Sequence, residues 1–306
     1  MILYITTIVL LLLLAPILLS FIKSLKMLLL FKRPAPLLQG YKNFAKLMQK
    51  ETIVSQETSS ITTYAPFLVL SPLLVTMFFL PPIVHGAFYV SFVDAFTITG
   101  LISLSTFFLM LLGLDSASAF GGMGSSRESF ISALVEPAMV LTVFSVSMMA
   151  GDLGIGQAGV NLAEHFPKEH MASFLFAGIS FFILLIAENG RIPVDNPETH
   201  LELTMIHEAM ILDLSGVYLA IIETAASVKF VIFASLFVSL FIPYGLEYSA
   251  PIAILIFIAK LFGVAIAVAI LEVNTAKLRL FKVPNLLGIS IVFAFLSLIT
   301  FYVLGA

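Results

Sequence analysis

Cysteine is absent from the 306 residues. That excludes disulfides and removes the thiolates that zinc or an iron–sulfur cluster on this chain would need. Tryptophan is absent too, against 29 phenylalanines, so apolar packing more than indole anchoring must hold the helices in place. Charge is scarce: 11% of residues are charged, where a soluble domain carries about 25%. Fifteen Lys and Arg against eighteen Asp and Glu leave a net charge near −3, which excludes a nucleic-acid-binding footprint. What remains is apolar, with 60% hydrophobic residues and a mean hydropathy of +1.11. No basic residue precedes the first apolar run, and Lys23 and Lys26 follow it. The run therefore reads as a retained membrane helix and not a cleaved signal.

A spanning helix takes about 20 mostly apolar residues. Runs of that kind lie near 1–22, 65–84, 95–114, 129–150, 171–187, 216–242, 250–272 and 285–304. The expectation is an all-α integral membrane protein, one polytopic domain over 1–306 with eight transmembrane helices. Basic residues set its orientation. Seven lie in the connection 23–64, Arg127 in the third connection, Arg191 in the fifth, and Lys277, Arg279 and Lys282 in the seventh. Only Lys168 lies on the other side, while Lys229 and Lys260 fall within helices. Twelve against one puts 23–64, 115–128, 188–215 and 273–284 in the cytoplasm and both termini outside it. Within the first connection, Leu37, Tyr41, Phe44 and Met48 recur at helical spacing opposite Lys42, Lys46 and Lys50. That pattern predicts an amphipathic helix lying in the membrane interface.

The fifth connection is the main anomaly. Seven of the eighteen acids fall between 188 and 223: Glu188, Asp195, Glu198, Glu202, Glu208, Asp213 and Glu223. Arg191 is the only strong cation among them, expected to pair with a neighbouring carboxylate, and His200 and His207 can titrate near neutrality. Ordinary structure accounts for part of this. Asn196 can cap a helix that begins at Pro197, with Glu198 in its first turn. Capping does not explain Glu198 and Glu202 at i,i+4 on one face, where like charges repel and burial raises carboxyl pKa values. Such groups can exchange protons near neutral pH.

Ionisable residues also fall inside the predicted spans: Glu136 in the fourth, Glu223 and Lys229 in the sixth, Lys260 in the seventh and Glu272 at its end. Each is costly in a bilayer and should face a partner or a hydrated cavity. Glu223 and Lys229, six residues apart, lie on roughly opposite faces and are not expected to pair. Glu136 adjoins Pro137, which frees a carbonyl to bind water or a cation. Snorkelling is poor for a mid-helix lysine, so Lys260 is expected in a buried ion pair. Other motifs fall away. His207-Glu208 lacks the second histidine of a zinc site, and the glycines at 121, 122 and 124 precede no P-loop lysine. Those glycines predict a flexible loop, with Ser125 or Ser126 capping the fourth helix and Glu128 in its first turn.

The segment AENGRIPVDNPETHLEL resembles the cytoplasmic loop of the quinone-site membrane subunit of respiratory complex I. Glu188, Arg191, Pro193, Asp195, Pro197, Glu198 and Glu202 match that pattern, as do the eight-helix layout, the basic first loop and the SSRESFISAL lead-in to the fourth helix, Arg127 included. The departures point to a subfamily. His200 replaces an acid, TMIHEAMILDLSG is longer than its counterpart, Glu136 lies about two turns nearer the helix start, and the first loop lacks an RRGPN-type signature. NGRIPVDNPETHLELTMIHEAM and LVEPAMVL are similar to the membrane subunit of group 4 [NiFe] hydrogenases, including formate hydrogenlyase-type complexes.

This resemblance implies a membrane anchor and proton-path subunit in a prokaryotic inner membrane. No cofactor is expected on this chain; the nickel–iron centre and iron–sulfur clusters would sit on hydrogenase large and small subunits and an iron–sulfur subunit, alongside antiporter-like membrane subunits and lipid. Glu188, Asp195, Glu198 and Glu202 would lie where the arm meets the membrane, and Glu136 and Glu223 would continue the path, with Glu208, Asp213, Lys229 and Lys260 as further members. Arg191, Pro193, Pro197 and Arg127 would shape the docking loop. The changed fifth loop weighs against quinone binding. The alternatives are a quinone-reducing complex I-type subunit, an independent ion transporter and a passive scaffold.

Overall fold

The computed structural model describes residues 2–55, 57–81, 83–84, 93–165, 168–196 and 205–304. Eleven α-helices lie among them. Eight are long and apolar enough to cross a membrane: α1 (Ile2–Leu29), α3 (Ser60–Met77), α4 (Ala95–Asp115), α5 (Ala119–Ala150), α7 (Met171–Glu188), α9 (Gly216–Phe241), α10 (Ala250–Asn274) and α11 (Val283–Leu304). Short helices α2 (Gln39–Met48), α6 (Ile155–Glu164) and α8 (His207–Ile211) lie in the connections. With no water to satisfy backbone groups in a bilayer, helices satisfy them within each segment.

The spans begin and end where side chains supply caps. Asp115 closes α4 and also accepts from the Thr62 amide at 2.9 Å and its hydroxyl at 2.6 Å, while Ser59 accepts from the Ile61 amide. The second span therefore starts at Ser60, five residues before its apolar run. The fourth span corrects the expected glycine loop. Ser118 accepts from the Gly121 amide, and α5 runs from Ala119 through all three glycines, so neither Ser125 nor Ser126 is its cap. Two of those glycines are small because something packs there: a methyl group built on Gly121 would meet the Gly113 carbonyl oxygen, and one on Gly124 the Ile206 carbonyl oxygen at 2.9 Å. The first span is also longer than expected, and Lys23 and Lys26, counted as loop residues, lie in its last turns. The connection 151–170 is not a plain loop, since it holds α6.

α9 is the most buried span and α11 the least. α9 touches α1, α2, α3, α7 and α10. On one flank α5, α7 and α11 are joined by hydroxyls, with Thr142 to Ser180 at 2.7 Å, Ser180 to Ser290 at 3.0 Å and Ser145 to Ser297 at 3.2 Å. Small hydroxyl residues let helices approach closely where lipid offers no hydrophobic drive. The predicted amphipathic helix is present as α2. It lies along α1 and α9, where the Gly40 amide donates to Ser20 Oγ at 3.0 Å and the Tyr41 hydroxyl donates to the Leu13 carbonyl. Its Phe44 and Met48 remain exposed. The odd-numbered connections meet at one end of the bundle. Ser215 clamps Ile53 through both backbone groups, at 2.7 and 3.1 Å. The next residue, Gly216, has φ +56°, and a methyl group there would lie 2.7 Å from the Glu51 carbonyl oxygen, so only glycine fits.

Candidate functional site

After Glu188 the chain turns through Gly190 (φ +55°) and folds back on α7, with the Arg191 amide donating to Ile186 at 3.0 Å. The Pro193 carbonyl accepts from Leu278 at 2.8 Å, which ties the fifth connection to the seventh. This tight loop inserts charged side chains between helices instead of leaving them in solvent.

Three buried knots result. Glu188 meets Lys229 at 2.6 Å, and the same ammonium donates to Thr106 Oγ1 at 3.0 Å, so α7, α9 and α4 converge on it. Glu272 lies between Lys26 at 2.8 Å and Arg191 at 3.5 Å, joining α10, α1 and the loop. The Arg191 guanidinium also sits 5.6 Å from the centre of the Phe230 ring, a cation–π distance. Asp195 is 2% exposed and accepts from Lys277 at 2.6 Å and from the Ile206 and His207 amides at 3.1 and 3.2 Å. It thereby fixes the start of α8. Arg127 secures the same segment by donating to the Met205 carbonyl at 2.7 Å.

Beside the knots lies a cavity of about 460 Å³ between α1, α2, α9 and the loop. Leu12, Leu13 and Phe44 form its apolar wall, and Glu188, Arg191, Glu208 and Glu223 its charged wall. Two loop groups here titrate away from their ordinary values. Burial, then the negative charges of Glu223 and Asp195, push the Glu208 carboxyl up to about 7. Burial, then the positive charge of Lys229, push His207 down to about 4. Both shifts favour the neutral form, so His207 is held uncharged near pH 7 and Glu208 is a loop carboxyl able to exchange a proton there. The sign is that of a raised carboxyl: its burial penalty is absent when protonated and grows as pH rises from the ordinary carboxylate range through about 7. Difference infrared spectra between pH 8 and pH 6 should show a protonated carboxyl band gained at the lower pH and missing in Glu208→Gln. An unchanged band in that variant would remove Glu208 as its source.

The structure unites Glu188, Arg191, Asp195, Glu208, Glu223 and Lys229 around one cavity. Lys229 pairs with Glu188 and not with Glu223, as the helical spacing predicted. Arg191 finds its carboxylate on α10, far along the chain. Three expected site residues lie elsewhere. Asp213 is exposed beyond α8, and Glu136 is half-buried on α5, two turns past Glu128. Lys260 sits at the opposite end of the bundle and donates to the Ile242 carbonyl at 2.7 Å and to that of Tyr244, so these backbone oxygens, and not the expected ion-pair partner, hold it. Pro197, Glu198 and Glu202 lie outside the described residues, as do His200 and the helix that Asn196 was expected to cap. Sequence reasoning missed Lys26, Lys277 and Thr106 as partners, and it placed Glu128 in the first turn of the fourth helix. Glu128 is in fact buried, within electrostatic reach of Lys229, Glu188 and Asp195. Its one signal was a carboxylate placed ten residues into what proves to be a longer helix.

A sequence profile of the family described as NADH dehydrogenase matches residues 3–304. The chain belongs to that family. Hydrogenase-4 component C of Escherichia coli (strain K12) is 30% identical over 250 residues, 81% of this chain and 77% of that protein. Formate hydrogenlyase subunit 4 of the same organism is 26% identical over 274 residues, 88% of each chain. NADH-quinone oxidoreductase subunit 8 of Rhodothermus marinus is 28% identical over 174 residues, 56% of this chain and 51% of that protein. Hydrogenase-type relatives thus align over more of the chain than the quinone-type one, in the direction of the loop departures. A chain from the membrane-bound sulfane sulfur reductase, an archaeal respiratory membrane complex, superposes with a TM-score of 0.81 at 12% identity, covering 97% of this chain and 98% of that one. The eight-helix fold is shared with it.

Proposed function

We propose that this chain is the membrane subunit of an energy-converting [NiFe] hydrogenase or formate hydrogenlyase-type complex in a prokaryotic inner membrane. It anchors a soluble redox arm at the loop end of the bundle and links that arm to proton transfer through membrane carboxylates. The nickel–iron centre and iron–sulfur clusters belong to the hydrogenase large and small subunits and an iron–sulfur subunit; antiporter-like subunits and lipid surround the bundle. The bias of Lys and Arg supports a cytoplasmic loop end and non-cytoplasmic termini.

The observation that carries this reading is the run of buried charge from the loop into the bundle. Asp195 and Arg191 sit on the segment an arm would touch, and Glu188 and Lys229 continue from it between α7 and α9. Moving the loop by an ångström or two changes the distance of every pair, and at low dielectric such changes are large in energy. An arm that shifts the loop thereby shifts proton affinity at Glu208 and Glu223. The 460 Å³ cavity, whose apolar wall is formed by α1 and α2, is the structural observation that favours a quinone-binding subunit instead. A quinone-dependent change in the redox activity of the purified complex would select that reading.

Glutamine keeps the shape and hydrogen bonding of glutamate but cannot release a proton. In vesicles, the Glu136→Gln/Glu223→Gln double variant should keep assembly and the arm's artificial-donor chemistry. It should lose ion movement driven by hydrogen evolution at least tenfold. Glu169→Gln, at the opposite end of the bundle, should be silent. Normal coupling in the double variant would leave the passive anchor as the better account.

A further inference from the structure

α9 carries Glu223, Ser227, Val231, Ser235 and Ser239 at every fourth position. Residues four apart follow one ridge of a helix, and this ridge runs about 24 Å, most of a bilayer's hydrocarbon thickness. Four of the five positions are polar on the most buried span of the bundle. Their surroundings differ at the two ends. Glu223 and Ser227 line the large cavity beside the loop. At the far end Ser235 and Ser239 line a cavity of about 20 Å³ together with Thr7 of α1. Ser239 also lines an adjoining space of about 10 Å³ that reaches Lys260, and the two spaces share Ile83 and Phe257.

Ser235 shows that this end is built for a ligand. Thr224 and Ser227 satisfy their hydroxyls on carbonyls of their own helix, at 2.7 Å each. Ser235 does not: it is 1% exposed and its Oγ has no hydrogen-bond partner. A buried hydroxyl left unpaired is costly. A water needs a cavity of at least about 10–15 Å³ and two to four polar neighbours, and Ser235, Ser239 and Thr7 supply them. Between the two ends, Val231 is 0% exposed and lines neither the large cavity nor the two small spaces at the far end.

We propose that this row is a gated proton path crossing the membrane within this chain. Water held by Ser235 and Ser239 forms its far half, Lys260 stands at its mouth, and Val231 is the dry plug that keeps it shut. Along each half, an oxygen accepts a proton from one neighbour and releases another to the next, so one proton enters as one leaves and nothing is oxidised. The path is independent of how the arm couples, because leakage through it needs no redox chemistry.

Vesicles containing the assembled complex and an internal pH dye test this. Val231→Ser completes the polar row and should raise passive proton permeability at least tenfold, with potassium permeability unchanged. Val231→Leu should stay tight, and adding Ser235→Val to Val231→Ser should restore tightness. A proton-tight, assembled Val231→Ser complex, or a leak indifferent to Ser235→Val, overturns the proposal. The unmodified complex provides a check that needs no variant. Hydroxyl-radical footprinting should oxidise Met77, which is 1% exposed and lines the Ser235 cavity, while Met139, 2% exposed and away from it, stays protected. Equal protection of the two would show the far half to be dry.

Discussion

Glu272→Gln is expected to cost the chain about 3–5 kcal/mol, the penalty typical of breaking a buried ion pair by removing one partner. The Glu272 side chain is 0% exposed and lies between two cations from different elements, Lys26 at 2.8 Å and Arg191 at 3.5 Å. Forming such a cluster contributes little net stability, because desolvation offsets most of the attraction. Removing the carboxylate between them is different: it leaves two like charges close together at low dielectric, facing a neutral amide. The loss should appear as a lower unfolding midpoint of the detergent-solubilised complex and as reduced recovery of α1–α10 packing in cross-linking. Lys26→Met in the same chain should recover part of it, since one cation is then gone and Arg191 keeps its contact with Phe230. A Glu272→Gln protein with the wild-type midpoint would mean that water, and not the carboxylate, solvates those cations.

Lys229→Met should be as severe, about 3–5 kcal/mol, for the converse reason. Glu188 would lose the cation described at 2.6 Å from it and remain as a buried anion within electrostatic reach of Glu128. Methionine matches the length of the lysine stem, so the loss reports charge and not packing. A cycle with Glu188→Gln separates the two effects. The Glu188→Gln/Lys229→Met double variant should be more stable than Lys229→Met alone, with a coupling of up to about 3 kcal/mol between the sites. Strict additivity would show that the pair seen at 2.6 Å carries no energy and that the knot is held by packing alone.

How much of this was legible differs between the fold and the site. The eight spans were readable because apolar length is a local property: about 20 residues suffice to cross a bilayer, whatever their neighbours. α2 was readable for the same reason, since Tyr41 and Phe44 against Lys42 and Lys46 define a face without reference to anything else. Helix ends were less so. Ser118 caps α5 locally, but the packing partner of its Gly124 is α8, which lies about eighty residues further along the chain. Taken in isolation, Gly121, Gly122 and Gly124 weaken a helix, and the tertiary reason for Gly121 and Gly124 is invisible.

The site divides in the same way. Seven acids in one stretch showed where charge had been concentrated, and the helical spacing of Glu223 and Lys229 excluded their pairing. Partner choice was beyond such reasoning. Glu272 with Lys26, Lys277 with Asp195 and Lys229 with Thr106 join residues 82 to 246 positions apart, and nothing periodic links them. By itself the amino-acid sequence determined that this chain crosses a membrane eight times, and that its ionisable groups cluster at one connection. The tertiary structure decided which of those groups meet, which of them enclose a cavity and which, like Lys260, serve the backbone at the far end. The reason is physical: apolar burial adds up along a segment, whereas a charge in low dielectric is governed by the few ångströms to its partner, a distance set only when the helices pack.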